Sequence, residues 1–503
     1  MKKLFGALLV LTSFSVLTRA LGFFFRIYLS RVVGAESLGV YQIAFSVFMV
    51  LETVVSSGIP LIISKKTAEN SQNSSRLVSA GLVIGSVVAL ILCAFVFLFK
   101  NIFSGIFTDE RCLGILFLLL PSLVFSSVYS VIRGNFWGNK KFFLVSFTEF
   151  FEQVSRIALS VLFLGVLNFS LDKVFLASIS YTLSCIVSSV LVFLIYIKGG
   201  GRLSSPRGNI KQIVRSSSAI TFIRVISSLI TPIISIIIPL RLVSIGYTNE
   251  QALSLFGVAV GMTFPLLYVP STLTGSLSMT LIPNIASSAS TQNFDEVKNH
   301  INFSIKFTYF VSFLFISIYS ALGKGIGYFF FANSQAGAFL SAFSFLVLPI
   351  CLSSITTSSL NALNMEVKSF INYVFGGILL VFSIGILPEL VGVMAISIGM
   401  ALSLGLSSFL NIIFLNKKVA CNFFNTKYLA LSFICAICCH LMSKWVFNIV
   451  CAHIPLFFAL IVAGMVGSGF YCIMGEALGI VNISSLRLIK KKKLQNKGIN
   501  NAK

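Results

Sequence analysis

Four arginines, Arg19, Arg26, Arg156 and Arg224, fall inside long apolar runs of this sequence. A guanidinium at the centre of a bilayer costs about 3 kcal/mol on insertion scales and more in simulations, so it persists only where it meets water, a partner or a ligand. Arg19 and Arg26 are seven residues apart, which on a helix is two turns along one face and a rise of ~10 Å. For Arg26 the plain alternative is snorkelling to the outer interface. For Arg19 it is a structural ion pair, with Glu52, at comparable depth in the next run, as the natural partner. Glu149, Glu152 and Arg156 recur at i, i+3 and i+7, with Glu152 and Arg156 at salt-bridge spacing. That face either satisfies itself or lines a polar cavity, to which Arg224 adds a cation from a later helix. Arg19, Arg26, Arg156 and Arg224 against Glu52, Glu149 and Glu152 leave such a cavity net positive. It suits an anion such as phosphate or pyrophosphate, which arginine binds bidentately.

Other chemistry lacks its residues. Gly323-Lys324-Gly325 has Ile318 where a phosphate-binding loop needs glycine. Asp109, Asp172 and Asp295 form no pair, and His300, His440 and His453 are scattered, so neither a metal nor a metal-dependent transferase is expected. Cys93, Cys185, Cys351, Cys435, Cys438, Cys439 and Cys472 lie in apolar runs, where cysteine acts as a small hydrophobe. The segment Cys435-Ala-Ile-Cys438-Cys439-His440 does not have the register of a haem or zinc motif and has no second ligand pair nearby. No cofactor and no enzymatic activity are expected.

These residues must be positioned by membrane helices. Of the 503 residues 57% are hydrophobic and only 10% charged, far below the charged share of about 25% in soluble domains. Apolar runs near 5–29, 36–62, 76–99, 112–132, 145–167, 174–197, 216–240, 251–282, 301–322, 337–361, 370–388, 390–415, 428–450 and 454–476 give about fourteen transmembrane helices. Met1-Lys2-Lys3 and the following run resemble a signal peptide, with Val33-Gly34-Ala35 as a weak cleavage site. The run is too long for one and holds two arginines, so it is read as the first helix.

The 37 Lys and Arg against 14 Asp and Glu give a net charge of +23, read first as membrane topology and not as nucleic-acid binding. With the N-terminus inside, cytoplasmic segments hold 26 cations, outer segments seven and the helices four. Both termini are therefore expected in the cytoplasm. The polar stretch Lys198–Arg215, with Gly199-Gly200-Gly201 and Pro206, divides the chain. The expected domains are an N-lobe over 1–198, a cytoplasmic linker over 199–215 and a C-lobe over 216–415. A helix pair over 416–476 and a basic tail over 477–503 follow. Arg19, Arg31, Leu38-Gly39-Val40 and Gly58-Ile59-Pro60 are echoed by Arg224, Arg241, Phe256-Gly257-Val258 and Leu281-Ile282-Pro283, consistent with two half-structures. The cluster Arg487–Lys493 reads as a topology anchor facing anionic lipids.

The stretches Thr18–Gln42, Ser57–Lys65, Ile132–Ile157 and Pro239–Ala286 resemble the stage V sporulation protein B group of the multidrug/oligosaccharidyl-lipid/polysaccharide exporter superfamily. The likeness spans most of the first 290 residues and weakens after about residue 370. It implies an all-α polytopic membrane protein with two six-helix lobes related by a pseudo-two-fold axis around a central cavity, plus a C-terminal helix pair. It further implies flipping of undecaprenyl-pyrophosphate-linked sugars, as by the related lipid II flippases, and carries over Arg19 and Arg26 as headgroup-contacting cations. Ile27 stands where those flippases have an acid, and Gly257–Tyr268 is apolar where they are charged, a deficit that Arg156 and Arg224 would make up.

The expected function is thus a flippase of the bacterial inner membrane. It would move a polyprenyl-pyrophosphate-linked sugar, such as lipid II or a related cell-wall, spore-cortex or polysaccharide intermediate, by alternating access. The rival readings are a multidrug exporter of the same superfamily, disfavoured by the cationic first helix, and a non-transporting scaffold for sporulation or cell-wall enzymes. Expected partners are the lipid substrate, anionic lipids at the tail and cell-wall synthesis enzymes, with no nucleic acid.

Overall fold

In the computed structural model, residues 2–167, 170–206, 210–419 and 426–480 are described, and among them every regular element is a helix. The basic tail from Arg487 onward lies outside the described residues. Each of the fourteen apolar runs falls on helix. Among the described residues, eleven helices are long and apolar enough to cross a membrane, or twelve when the bent pair Arg111–Leu119 and Ser122–Gly138 counts as one. The run at 145–167 is also helical, but three charged side chains in Phe142–Val161 raise its polarity above that of a uniform apolar span. The chain is a multi-pass membrane protein.

The front helices are α1 (Lys2–Val33), α2 (Ala35–Ser56), α3 (Gly58–Glu69), α4 (Ser74–Leu98), α5 (Lys100–Ile106), α6 (Arg111–Leu119), α7 (Ser122–Gly138), α8 (Phe142–Val161), α9 (Lys173–Lys198), α10 (Ile210–Ser244) and α11 (Asn249–Phe256). Several expected single helices are broken. The second run stops at Ser57, ahead of Gly58-Ile-Pro60, where proline removes a backbone donor. The fourth bends by 40° at Leu120-Pro121. Between α1 and α2 the chain reverses at Gly34, whose φ of 86° suits glycine alone among common residues.

These elements form one compact unit, residues 1–262 together with 384–393. This division differs from the expected boundary at 199–215. The linker is shorter than expected, since α10 already begins at Ile210, and Ser204 N–H donates to Ser79 Oγ at 2.9 Å, tying the linker to α4. Close backbone approach then fixes α10 and α11 on the front helices. A Cβ at Gly58 would lie 2.6 Å from the Ser217 carbonyl oxygen, and one at Gly39 would lie 2.2 Å from that of Leu253. Small residues at such crossings give membrane helices their packing contact, because lipid supplies no hydrophobic drive between them. A core of Ile59, Ile63, Val78, Val131, Ile132, Phe136 and Ile213 fills the unit beside these crossings.

Among the described residues, the second unit comprises 263–383, 394–419 and 426–480. It holds α12 (Phe264–Leu267), α13 (Val269–Ser290), α14 (Phe294–Phe331), α15 (Ser334–Ala342), α16 (Val347–Ala362), α17 (Glu366–Ile386, to Ser383), α19 (Met394–Val419), α20 (Thr426–Val450) and α21 (Leu456–Ala477), while α18 (Pro388–Val391) belongs to the first unit. Its core gathers Ile301, Ile305, Tyr309, Ile355, Leu415, Cys439 and Tyr471. Asn372 donates to Asn411 Oδ1 at 2.8 Å, and Asn411 donates in turn to Thr356 and Thr357.

Candidate functional site

All seven expected site residues lie in the first unit. On α1, Arg19, Gly22 and Arg26 share one face by their spacing of three and four. That face meets α8, because a Cβ on Gly22 would lie 3.7 Å from Gln153 Nε2. Phe14 seals the same seam further along, edge-on to Phe143 and Phe150. Arg19 and Arg26 are both exposed. Arg224, midway along α10, is exposed as well. Among the described residues, none forms an ion pair with Arg19, Arg26 or Arg224.

The polar face of α8 has partners on either side. Arg156 Nη2 bonds Glu152 Oε1 at 2.6 Å, the i,i+4 pair expected from spacing. Its guanidinium also lies 4.7 Å from the centroid of the Tyr181 ring on α9, within cation–π range. Glu149 does not reach Arg156. It accepts from Arg133 Nη2 at 2.8 Å, and Arg133 lies over Tyr129 at 5.4 Å. Among the described residues, Arg133 Nε and Arg156 Nε are buried donors without a hydrogen-bond partner. The cluster therefore keeps polar capacity to spare.

The expected pairing of Glu52 with Arg19 does not form. Glu52 on α2 accepts from Ser126 Oγ of α7 at 2.7 Å and from Tyr181 OH at 3.4 Å. Its surroundings are aromatic: Tyr41 stacks on Phe45 at 5.3 Å, and Phe45 and Phe48 both meet Tyr181 edge-on. Arg133, Tyr129, Ser126, Tyr41 and Tyr181 thus belong to the site, although sequence reasoning left them out. The i,i+4 spacing of Tyr129 and Arg133 is the signal that points to them, hidden because the apolar run ends at 132.

Among the described residues, no group of three or more His, Cys, Asp or Glu could hold a metal. In the second unit Cys439 accepts from Ser317 Oγ at 3.0 Å and donates to the Gly467 carbonyl at 3.3 Å, while His440 Nδ1 meets Ser320 Oγ at 2.8 Å. These groups are engaged in helix packing.

The geometry describes a cationic rim on α1 beside an acid–base cluster spread over α2, α7, α8 and α9. A family profile described as polysaccharide biosynthesis protein matches residues 7–288, which covers every one of these residues. Stage V sporulation protein B of Bacillus subtilis (strain 168) is 29% identical over 301 residues, 55% of this chain. The matched stretch spans 57% of the length of that relative. Among solved structures, a lipid II flippase MurJ in an inward closed conformation superposes with a TM-score of 0.72 at 16% identity, over 93% of this chain and 98% of the other. An inward-facing multidrug resistance MATE family transporter of the MOP superfamily superposes with a TM-score of 0.67 at 15% identity, over 82% and 98%. At these identities the structural likenesses establish the fold.

Proposed function

The chain belongs to the polysaccharide biosynthesis protein family, and from that premise we propose that it is a flippase for a polyprenyl-pyrophosphate-linked sugar in the bacterial inner membrane. The observation that carries this reading is the pair Arg19 and Arg26, exposed on one face of α1 beside the polar face of α8 and free of ion pairs among the described residues. Guanidinium groups kept unpaired at membrane depth suit phosphoryl oxygens, which accept two parallel hydrogen bonds from each. Arg224 and Arg156 are further headgroup cations, with Glu152 holding Arg156 in place until phosphate competes for it. Glu149 serves Arg133 in the same way.

The head enters from the cytoplasm, its lipid tail stays in the bilayer, and the cycle alternates access to the two sides. An inside-negative potential favours outward movement of an anion by ~2.3 kcal/mol per charge per 100 mV, so no nucleotide site is required. Both termini are cytoplasmic on the distribution of Lys and Arg, where the basic tail meets anionic lipids and cell-wall enzymes can dock. A net-positive site disfavours the cationic drugs that a multidrug exporter would carry.

Reconstituted vesicles containing lipid II, or undecaprenyl pyrophosphate, test the reading. Arg26→Gln and Arg19→Gln each lower the flipping rate by at least about tenfold, the loss of one charge-assisted contact, with insertion unchanged. A wild-type rate in both variants overturns it.

A further inference from the structure

Glu52 stands midway along the span Ala35–Glu69, five residues before the break at Ser57. The polar cluster around it has three carboxylates and two guanidiniums. Arg156 is matched by Glu152 and Arg133 by Glu149. Glu52 is the carboxylate left over, and among the described residues its hydrogen-bond donors are hydroxyls, Ser126 Oγ at 2.7 Å and Tyr181 OH at 3.4 Å. Two neutral donors compensate an ionised carboxylate at this depth poorly. A proton is the smallest ligand that restores neutrality.

We propose that Glu52 is a proton-binding site linked to the anion cavity: protonation of Glu52 and occupancy by a pyrophosphate headgroup favour each other. The linkage half of this proposal rests on the headgroup reading given above. An anion drawn to Arg26 and Arg156 adds negative charge beside an already unmatched carboxylate, and at low dielectric the repulsion is relieved when Glu52 takes a proton from solvent. By reciprocity, a protonated Glu52 leaves the nearby cations freer to hold phosphate.

The charged and titratable groups around Glu52 are Glu152 and Arg156 from α8 and Tyr181 and Cys185 from α9, with Tyr41 on its own helix. Of the other helices packed on α2, α1 carries Arg19, Arg26 and Arg31 and α10 carries Arg224, with Lys211, Arg215 and Arg241 nearer its ends. α7 carries Tyr129 and Arg133, while α3, α4, α6 and α11 bear theirs near their ends, as Lys65, Lys66, Glu69, Arg76, Arg111 and Glu250, with Cys93 and Cys112 as thiols. At the other end of the cluster Glu149 is 47% exposed, the more accessible carboxylate through which protons can arrive.

The test uses the full chain in detergent micelles, with farnesyl pyrophosphate as a soluble polyprenyl pyrophosphate. Infrared difference spectra over a pH titration should show a carboxylic-acid carbonyl band that titrates in the wild type and is missing in Glu52→Gln, a near-isosteric change. Calorimetric affinity for farnesyl pyrophosphate should fall with rising pH more steeply in the wild type than in Glu52→Gln, the difference approaching about tenfold per pH unit for one linked proton. The ionisation of the ligand itself is common to both proteins and cancels. An identical band pattern in the two proteins overturns the proton site, and identical pH slopes overturn the linkage. If farnesyl pyrophosphate binds neither protein, the headgroup reading falls and the linkage with it, while a band present only with Glu52 still upholds the proton site.

Discussion

Arg156 and Tyr181 form a stacked pair across α8 and α9, with the guanidinium carbon 4.7 Å from the ring centroid. The phenol of the same tyrosine reaches Glu52 on α2 at 3.4 Å. One side chain therefore braces a cation through its face and an anion through its hydroxyl. Tyr181→Phe keeps the ring and removes only the hydroxyl, at a cost of about 1 kcal/mol. Tyr181→Leu removes both, at a cost of about 2–3 kcal/mol. Thermal melting in detergent should rank wild type above Phe above Leu. Equal melting of the two variants would show that the stacking contributes nothing.

The crossing of α2 and α11 depends on Gly39, since a Cβ there would lie 2.2 Å from the Leu253 carbonyl oxygen, a backbone atom that cannot rotate away. Gly39→Ala must push the helices apart and should cost about 1–3 kcal/mol. Gly405, in α19, has nothing within 4 Å of its ideal Cβ, so Gly405→Ala should be neutral or slightly stabilising through helix propensity. The two melting temperatures, compared with wild type, check the contact. A loss as large at Gly405 as at Gly39 would mean that close approach is not what the first glycine provides.

Much of this was legible in the sequence because the bilayer imposes simple rules. Long apolar runs fixed the helices, and the spacing of Arg19 with Arg26 and of Glu152 with Arg156 placed each pair on one helix face. Tyr181 and Tyr41 stayed hidden because, among 51 Phe and 13 Tyr, an aromatic residue in an apolar run carries no mark of its neighbours. The apolar run ends at 132 and leaves Arg133 just beyond it, yet α7 continues to Gly138 and turns its guanidinium to Glu149. The expected Glu52–Arg19 pair rested on depth alone, and depth says nothing of the azimuth around a helix. The division near residue 262 was likewise invisible, because it follows from close approach at Gly39, Gly58 and Gly257 and not from composition.

In the second unit, buried amides take the place of charges. Asn411 accepts from Asn372 at 2.8 Å and donates to Thr356 and Thr357 at 3.3 and 3.2 Å. Asn411→Ala strands the Asn372 amide inside the membrane and should cost about 1–2 kcal/mol. Adding Asn372→Ala removes the stranded group, so the double variant should lose less than the sum of the single losses. Strict additivity in thermal melts would show that the two amides do not depend on each other.

One end of the first unit is tied by Arg111, which reaches Asp109, Glu36 and, at 3.8 Å, Asp172. Asp109 takes the densest contact, from Arg111 Nη2 at 2.8 Å, Nε at 3.1 Å and the Arg111 backbone N–H at 2.8 Å. Burial alone would raise its carboxyl, but the hydrogen bonds and charge of Arg111 outweigh that and hold it below the usual range. A carboxylate depressed in the folded state adds stability that is present above its unfolded pKa, near 4, and is lost as pH falls through the lower folded value. Asp109→Asn should therefore melt below wild type by about 1–3 kcal/mol at neutral pH, as for a hydrogen-bonded charge. The gap should hold down to about pH 4 and then narrow. A gap that stays constant into stronger acid would show that shape, and not the charge on Asp109, is what the clamp requires.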